Sequence, residues 1–431
     1  MHHFHYKNES LHCENVDLSS ITDTYGTPTY IYSAQTFRDS YQRLDKALAE
    51  IDHEISYAVK ANSNIAILHL LKELGSGFDI VSAGELYRVI AAGGDAAHCT
   101  FAGVGKTDEE INYALDQGIY CFNVESIHEL EVINSLAKAK GIKAPVALRV
   151  NPNVDAKTHK YISTGKAENK FGIDFEAIEG AYAHVAANLD SLEIKGLQMH
   201  IGSQLTQVKP FEEAVNKVLS LVRMLKDTYA IEFFSIGGGI GIVYEDALAS
   251  GQQSWWDKQT DEQRPLTPEL YAERIVPLLK PLGLKILLEP GRFIAGNAGV
   301  LVTECLYEKS GKSKSFRMVD AAMNDLIRPA LYEGYHQIVP FKQSQISDKT
   351  LIGDIVGPIC ETGDFFCQSV ELPNIERGDY IALMSAGAYG FTMASNYNSR
   401  PLPTEILVDG DEFKVIRKRQ TFTDLIAGES V

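Results

Sequence analysis

Paired cysteine is missing from this sequence. Six cysteines (Cys13, Cys99, Cys121, Cys305, Cys360 and Cys367) stand far apart, with no C-x-x-C and no zinc-like spacing. That pattern argues against a disulfide framework and for reduced thiols in a cytosolic, cytoplasmic protein. Positive charge is short too: 40 Lys+Arg face 57 Asp+Glu, a net charge of −17. Such a balance argues against a nucleic-acid partner and against an anionic-membrane surface, while leaving room for a local phosphate pocket. No apolar run is long enough to cross a membrane, and Met1–Lys7 lacks the apolar core of a signal segment. His2, His3, His5 and His12 crowd the start of the chain; a frayed polar terminus is expected there, and no metal site. Tryptophan is limited to Trp255 and Trp256, in a polar run over 245–266. The pair is expected to pack against a neighbouring surface.

What the chain does have is a rhythm. Short apolar or β-branched runs recur at 55–59, 78–82, 99–102, 119–124, 145–150, 194–201, 232–236 and 284–288. Helix-like stretches with recognisable ends lie between them. Thr107-x-x-Glu110 predicts a capping box with Gly118 as the stop, Ser126-x-x-Glu129 opens a helix closing near Gly141, and Thr267-Pro268 opens one closing at Gly283. Eight strand–helix repeats predict an α/β fold, a (β/α)₈ TIM barrel; an open doubly wound sheet would normally need fewer strands. Beyond Arg292 the pattern turns to short β-rich runs at 299–307, 315–319, 351–357, 379–384, 405–409 and 412–418. They predict a C-terminal mainly β domain of sandwich or Greek-key type, completed by the N-terminal segment through Thr29–Tyr32. The expected division is a barrel over 34–293 and a β domain built from 1–33 with 294–431.

A barrel gathers its chemistry at the C-terminal ends of its strands. The polar residues there are Lys60, Asp79 with Ser82, Arg149 with Asn151, and His200 with Ser203. Gly237-Gly238-Gly239-Ile240-Gly241 and Glu289-Pro290-Gly291-Arg292 follow the seventh and eighth strands. Taken alone, Lys60 either snorkels to water or carries an amine that condenses with a carbonyl. The glycine run is no dinucleotide fingerprint, since Ile242 stands where a third glycine belongs. Bare backbone amides after strand seven instead suit a phosphate. Amine, imidazole, phosphate cradle and carboxylate on one rim match the needs of pyridoxal 5'-phosphate. In that reading Lys60 bonds the cofactor aldehyde, the glycines and Ser203 hold phosphate, His200 lies on the ring face, and Glu289 keeps the ring nitrogen protonated.

These residues resemble the alanine-racemase-like (fold type III) pyridoxal-phosphate decarboxylases. The motifs are Tyr57-Ala58-Val59-Lys60-Ala61-Asn62, His200-Ile201-Gly202-Ser203-Gln204, the glycine run and Glu289–Arg292. Within that group the chain is most similar to the diaminopimelate decarboxylase family. The added likeness lies in His159–Gly165 with Lys170-Phe171-Gly172, Cys360-Glu361-Thr362-Gly363-Asp364, and Gly387-Ala388-Tyr389-Gly390 running into Ser395–Asn398. The resemblance covers roughly residues 25 to 410. It implies a homodimer with active sites at its interface, Cys360 and Glu361 reaching in from the partner subunit and Cys360 acting as proton donor. It implies decarboxylation of meso-2,6-diaminopimelate to L-lysine and carbon dioxide.

Diaminopimelate is an amino acid at both ends, so its pocket needs groups for a distal carboxylate and a distal ammonium. Arg292 and Arg328 suit the carboxylate. The resemblance puts Tyr332 beside them, Glu361 on the ammonium, and Tyr389 on cofactor and substrate. It includes Asp79 and Gly291 among the cofactor contacts. Leu402 departs from it, standing where relatives often carry arginine. The polar segment 151–172 is either a lid or a surface loop. Sister decarboxylases for carboxynorspermidine, ornithine, arginine or lysine, a non-catalytic cofactor carrier, and a racemase are the alternatives. Cysteine without that Glu-Thr-Gly-Asp sequel would read as a small buried hydrophobe.

Overall fold

The computed structural model describes residues 2–155, 170–260, 264–311, 314–346 and 351–431. The chain divides into two compact units, one of residues 41–242 and 265–293, the other of residues 1–40, 243–264 and 294–431.

The first unit is a closed parallel barrel. Its strands are His53–Ala58, Gly77–Ile80, Cys99–Phe101, Cys121–Val124, Ala144–Asn151, Leu192–Met199, Phe233–Ser235 and Lys285–Leu288. Each pairs in parallel with the next, and the eighth pairs with the first. The strands are buried almost end to end, as parallel strands covered on both faces must be. Inside, Cys121, Ala147, Phe233 and Leu287 form one packed cluster against Tyr120. Gly196 makes room for it, since a Cβ there would stand 2.7 Å from the Phe233 ring.

The helix signals read from sequence are present. Thr107 and Glu110 form a reciprocal capping box, and Gly118 ends that helix in the left-handed region. Ser126 caps Ile127–Lys140, which stops at left-handed Gly141. Thr267 caps Pro268–Leu279, and Gly283 closes the following turn. Ala58 donates its N–H to the Pro290 carbonyl at 3.0 Å, tying the end of strand one to the loop after strand eight.

In the second unit a sheet runs in the order Phe365–Leu372, Leu351–Val356, Ser315–Val319, Gly299–Ser310, Thr29–Ser33, Thr404–Asp409, Glu412–Arg417. Ile338–Pro340 pairs with Tyr380–Leu383, which joins Gly299–Ser310. The N-terminal Thr29–Ser33 strand thus lies inside a sheet otherwise made by the C-terminal part of the chain. Phe365–Leu372 escapes a pattern search because Gln368, Ser369 and Glu371 break its alternation, with Ser369 at φ +53°.

The expectation of a frayed N-terminus is overturned. Phe4–Lys7, Ser10–Cys13 and Val16–Asp17 form an antiparallel three-stranded sheet. Phe4, Leu11, Cys13 and Val16 join Ile31, Val300 and Ile406 in the core, an apolar gain that outweighs the polar histidines between them. His2 is itself buried, its Nε2 2.6 Å from the Ala247 carbonyl. In the inserted stretch the Trp255 and Trp256 rings meet edge to face at 5.1 Å, and Trp256 donates to the Ser250 carbonyl.

Thr107→Ala removes the half of the capping box that accepts the Glu110 N–H and should destabilise the barrel by about 1 kcal/mol. A urea midpoint equal to that of the native chain would refute a stabilising cap.

Candidate active site

In the barrel unit, the strand-end residues converge through hydrogen bonds. Strand one passes into a single tight turn, Val59–Ala61, that carries Lys60. The turn is fixed from behind, because the Tyr57 hydroxyl donates to the Asn62 carbonyl at 3.1 Å. The Lys60 Nζ lies 2.5 Å from Oδ2 of Asp79, near the end of strand two. Asp79 is buried while the Lys60 side chain is 39% exposed, so the pair reaches from the barrel interior toward its rim. Among the described residues, Asp79 Oδ1 is a buried oxygen without a hydrogen-bond partner.

Glu289 ends strand eight and is 7% exposed. Its Oε1 accepts from Ser235 Oγ at 2.7 Å and Asn123 Nδ2 at 3.4 Å, and its Oε2 accepts from Gln198 Nε2 at 2.9 Å. Burial pushes this carboxyl up to about 7; the charge of Asp79 adds to the rise, and Ser235, Lys60 and Gln198 oppose it. Sequence reasoning missed Asn123, Gln198 and Ser235. Their signal was a polar side chain near the end of an otherwise apolar strand.

His200 follows strand six. Its Nδ1 accepts the Gly238 N–H at 3.2 Å. Burial, then the charges of Arg149 and Lys60, hold the imidazole pKa well below its usual value. The ring is therefore neutral and carries its proton on Nε2.

The glycine run leaves no space for side chains. A Cβ on Gly238 would overlap the Glu289 carbonyl oxygen, and one on Gly237, at φ +69°, would meet the Met199 carbonyl at 2.5 Å. Gly239 and Gly241 face the Gly202 and Leu205 carbonyls in the same way. Gly291 lets its loop lie on the Lys60 turn, where a Cβ would sit 2.9 Å from Ala61 Cβ. Arg292 holds Ser203 Oγ through Nε and Nη2, both at 3.3 Å.

Other rim residues do structural work. Ser82 caps the helix Ala83–Ala91. Asn151 bonds the Phe171 carbonyl and the Asn153 N–H. Arg149 pairs with Glu125 at 2.7 Å and lies over the Phe171 ring. Most of the segment read as a lid, residues 156–169 with His159–Gly165, lies outside the described residues.

The second unit carries the remaining candidates. Arg328 opens a one-turn helix, Arg328–Tyr332, and is 7% exposed. Its Nη1 lies 2.6 Å from His336 Nε2, and its guanidinium carbon 4.6 Å from the Tyr244 ring centre. Cys360 and Glu361 occupy an exposed turn pinned by Asp364, which accepts the Met323 and Ile359 N–H groups at 2.7 Å. The Cys360 N–H donates to Asn398, and Tyr397 donates to Glu361 at 2.9 Å. An exposed Cys360 does not fit the alternative of a small buried hydrophobe; Cys13, Cys99, Cys121 and Cys305 do. Tyr389 holds φ at +55°, a left-handed conformation costing on the order of 1 kcal/mol in a residue with a side chain. At the departure point, Leu402 bonds Gln420 through its backbone, and Arg400 bonds Asn324 and the Asp320 carbonyl.

The family model for the pyridoxal-binding domain of pyridoxal-dependent decarboxylases matches residues 34–296. A diaminopimelate decarboxylase of Pseudomonas aeruginosa is 48% identical over 429 residues, covering 99% of each chain. One of Vibrio cholerae is 46% identical over 434 residues, covering 100% of this chain and 99% of the relative. The crystal structure of the Helicobacter pylori diaminopimelate decarboxylase complexed with L-lysine has TM-score 0.87 and 39% identity, covering 95% of this chain and 98% of that one. This chain belongs to the diaminopimelate decarboxylase family. Pyridoxal phosphate is the cofactor of such decarboxylases, and the residues present fit it. A glycine-rich turn suits its phosphate, a buried carboxyl suits its ring nitrogen, and an amine beside the buried Asp79 suits its aldehyde.

Because folding raises the Glu289 pKa from 4.5 to about 7, the folded chain retains a proton that the unfolded chain has released. This contribution to stability is fully present below the unfolded value and is lost as pH rises through about 7. Without cofactor, Glu289→Gln should therefore gain in thermal midpoint over the native chain between about pH 5 and 8. A gap independent of pH would refute the raised value.

Proposed function

We propose that this chain decarboxylates meso-2,6-diaminopimelate to L-lysine and carbon dioxide, closing lysine biosynthesis. One observation carries the reading above the others: the similarity to curated diaminopimelate decarboxylases runs the full length of both chains. Residues 34–293 serve as the cofactor-binding barrel, and residues 1–33 with 294–431 supply substrate and dimer contacts.

Bound pyridoxal phosphate supplies an electron sink for the pair left behind when the carboxylate departs. The chain's own groups do the rest. Lys60 Nζ would hold the aldehyde end of the cofactor, and Asp79 Oδ2 orients that amine. The loop of Gly237, Gly238, Gly239 and Gly241, with Ser203, Gly291 and Arg292, would hold the phosphate. His200, neutral, offers a flat uncharged face that does not compete for the ring's electrons. Glu289 accepts the ring N–H, and the ionised carboxylate stabilises positive charge there.

At the substrate, Arg328 with Arg292 takes the distal carboxylate, Tyr332 and Tyr389 line the approach, and Glu361 takes the distal ammonium. Cys360 Sγ returns a proton to the carbon that has lost carbon dioxide. Its exposure supports a role in a partner's site within a homodimer, where Cys360 and Glu361 reach across. A cytoplasmic location accords with six unpaired cysteines; among the described residues no helix is long and apolar enough to cross a membrane.

Purified protein with pyridoxal phosphate and meso-diaminopimelate should release L-lysine, and Lys60→Ala should lower that rate by at least roughly a thousandfold. Equal rates for the two proteins would end the assignment. Mixing inactive Lys60→Ala and Cys360→Ala chains under exchange should regain activity if sites are shared between subunits; a monomer by sedimentation would refute sharing.

A further inference from the structure

We propose that His336 is a positioning residue that sets substrate choice, by aiming the Arg328 guanidinium at the distal carboxylate. The inference rests on the reading of Arg328 given under the proposed function.

The geometry fixes the state of the ring. His336 is 2% exposed, and its Nδ1 lies 2.7 Å from the Met384 carbonyl oxygen. A carbonyl can only accept, so Nδ1 carries the proton. On the other side, Nε2 faces Arg328 Nη1 at 2.6 Å, and a guanidinium can only donate. A neutral ring with its hydrogen on Nδ1 satisfies both partners; the other tautomer satisfies neither. Arg328 is thus oriented by an acceptor that brings no negative charge. A carboxylate at that position would orient it as well but would neutralise it before substrate arrived.

Two further features lock the pair. Tyr244 stands behind both, with its ring edge-to-face on His336 at 5.5 Å and 86°, and its face 4.6 Å from the guanidinium carbon. The chain also turns back sharply between the two residues. Glu333 ends the helix in the left-handed region at φ +52°, and Gly334 donates its N–H to the Arg328 carbonyl at 3.1 Å. A Cβ on Gly334 would stand 3.3 Å from Arg328 Nη2, so glycine lets the returning chain lie against the guanidinium. Tyr244 itself stands just before the polar run 245–266, in the segment 243–264 of the same unit.

The test uses the holoenzyme and two ligands, meso-diaminopimelate and 1,5-diaminopentane, which has both amines and neither carboxylate. His336→Asn keeps a donor for Met384 but loses the acceptor toward Arg328. It should raise KM for diaminopimelate roughly tenfold or more. The accompanying fall in kcat should be smaller, and inhibition by 1,5-diaminopentane should shift less than about twofold. His336→Gln, whose amide oxygen reaches the Nε2 position, should recover most of the loss in KM. Arg328→Ala is measured alongside. If Arg328→Ala leaves KM unchanged, the reading of Arg328 fails and this proposal falls with it. If Arg328→Ala raises KM and His336→Asn does not, His336 alone is refuted. Equal weakening of 1,5-diaminopentane and diaminopimelate by His336→Asn would mark a merely structural role and overturn the proposal. Should His336→Asn not fold, Tyr244→Leu decides: it must raise KM for diaminopimelate with 1,5-diaminopentane inhibition held, or the proposal is wrong.

Discussion

A carboxyl group buried among neutral donors governs the barrel. Taking Glu289 out of water is costly, and the chain offsets that cost with a hydroxyl and two amides, not with a directly bonded cation. The choice has a chemical consequence. A bonded arginine would hold the carboxylate ionised and occupy the lone pairs that a ligand needs. Ser235, Asn123 and Gln198 leave Glu289 poised near neutrality, with its charge uncommitted. The donors come from strands four, six and seven and the carboxyl from the end of strand eight, so the arrangement exists only because the barrel closes.

The second unit applies the same logic with the sign reversed. Arg328 is buried and oriented by a neutral imidazole and an aromatic face. Elsewhere in the chain, charges that serve structure are paired with their opposites. Arg149 meets Glu125, and the buried Lys106 meets Glu129 and two carbonyls.

Much of the architecture was legible from residue order, for a physical reason. Parallel strands buried on both faces are continuous apolar runs, and the eight runs read at 55–59 through 284–288 match the eight barrel strands to within about three residues. Lys60, His200, the glycines and Glu289 stood out because each ends such a run with a residue that burial alone would not select. Asn123, Gln198 and Ser235 did not, because a single polar residue inside a strand acquires meaning only from its partner across the barrel. His336 and Tyr244 are separated by nearly a hundred positions and meet only through folding. The N-terminal sheet was hidden by histidines that alternate with the apolar residues that carry it.

Charge balance links the amine to the ring-nitrogen partner. The charge of Asp79 adds to the burial that raises the Glu289 pKa, and Lys60, paired with Asp79, counters that rise. If the positive charge on Nζ is given up, two carboxyls remain in a low-dielectric space with less to compensate them, and Glu289 is driven further toward its neutral form. A cationic ring nitrogen opposite Glu289 restores the balance at the other end of the same site. The barrel therefore favours a ligand that accepts an amine at one end and presents a protonated nitrogen at the other. That demand follows from three side chains and their burial, before any likeness to another protein is considered.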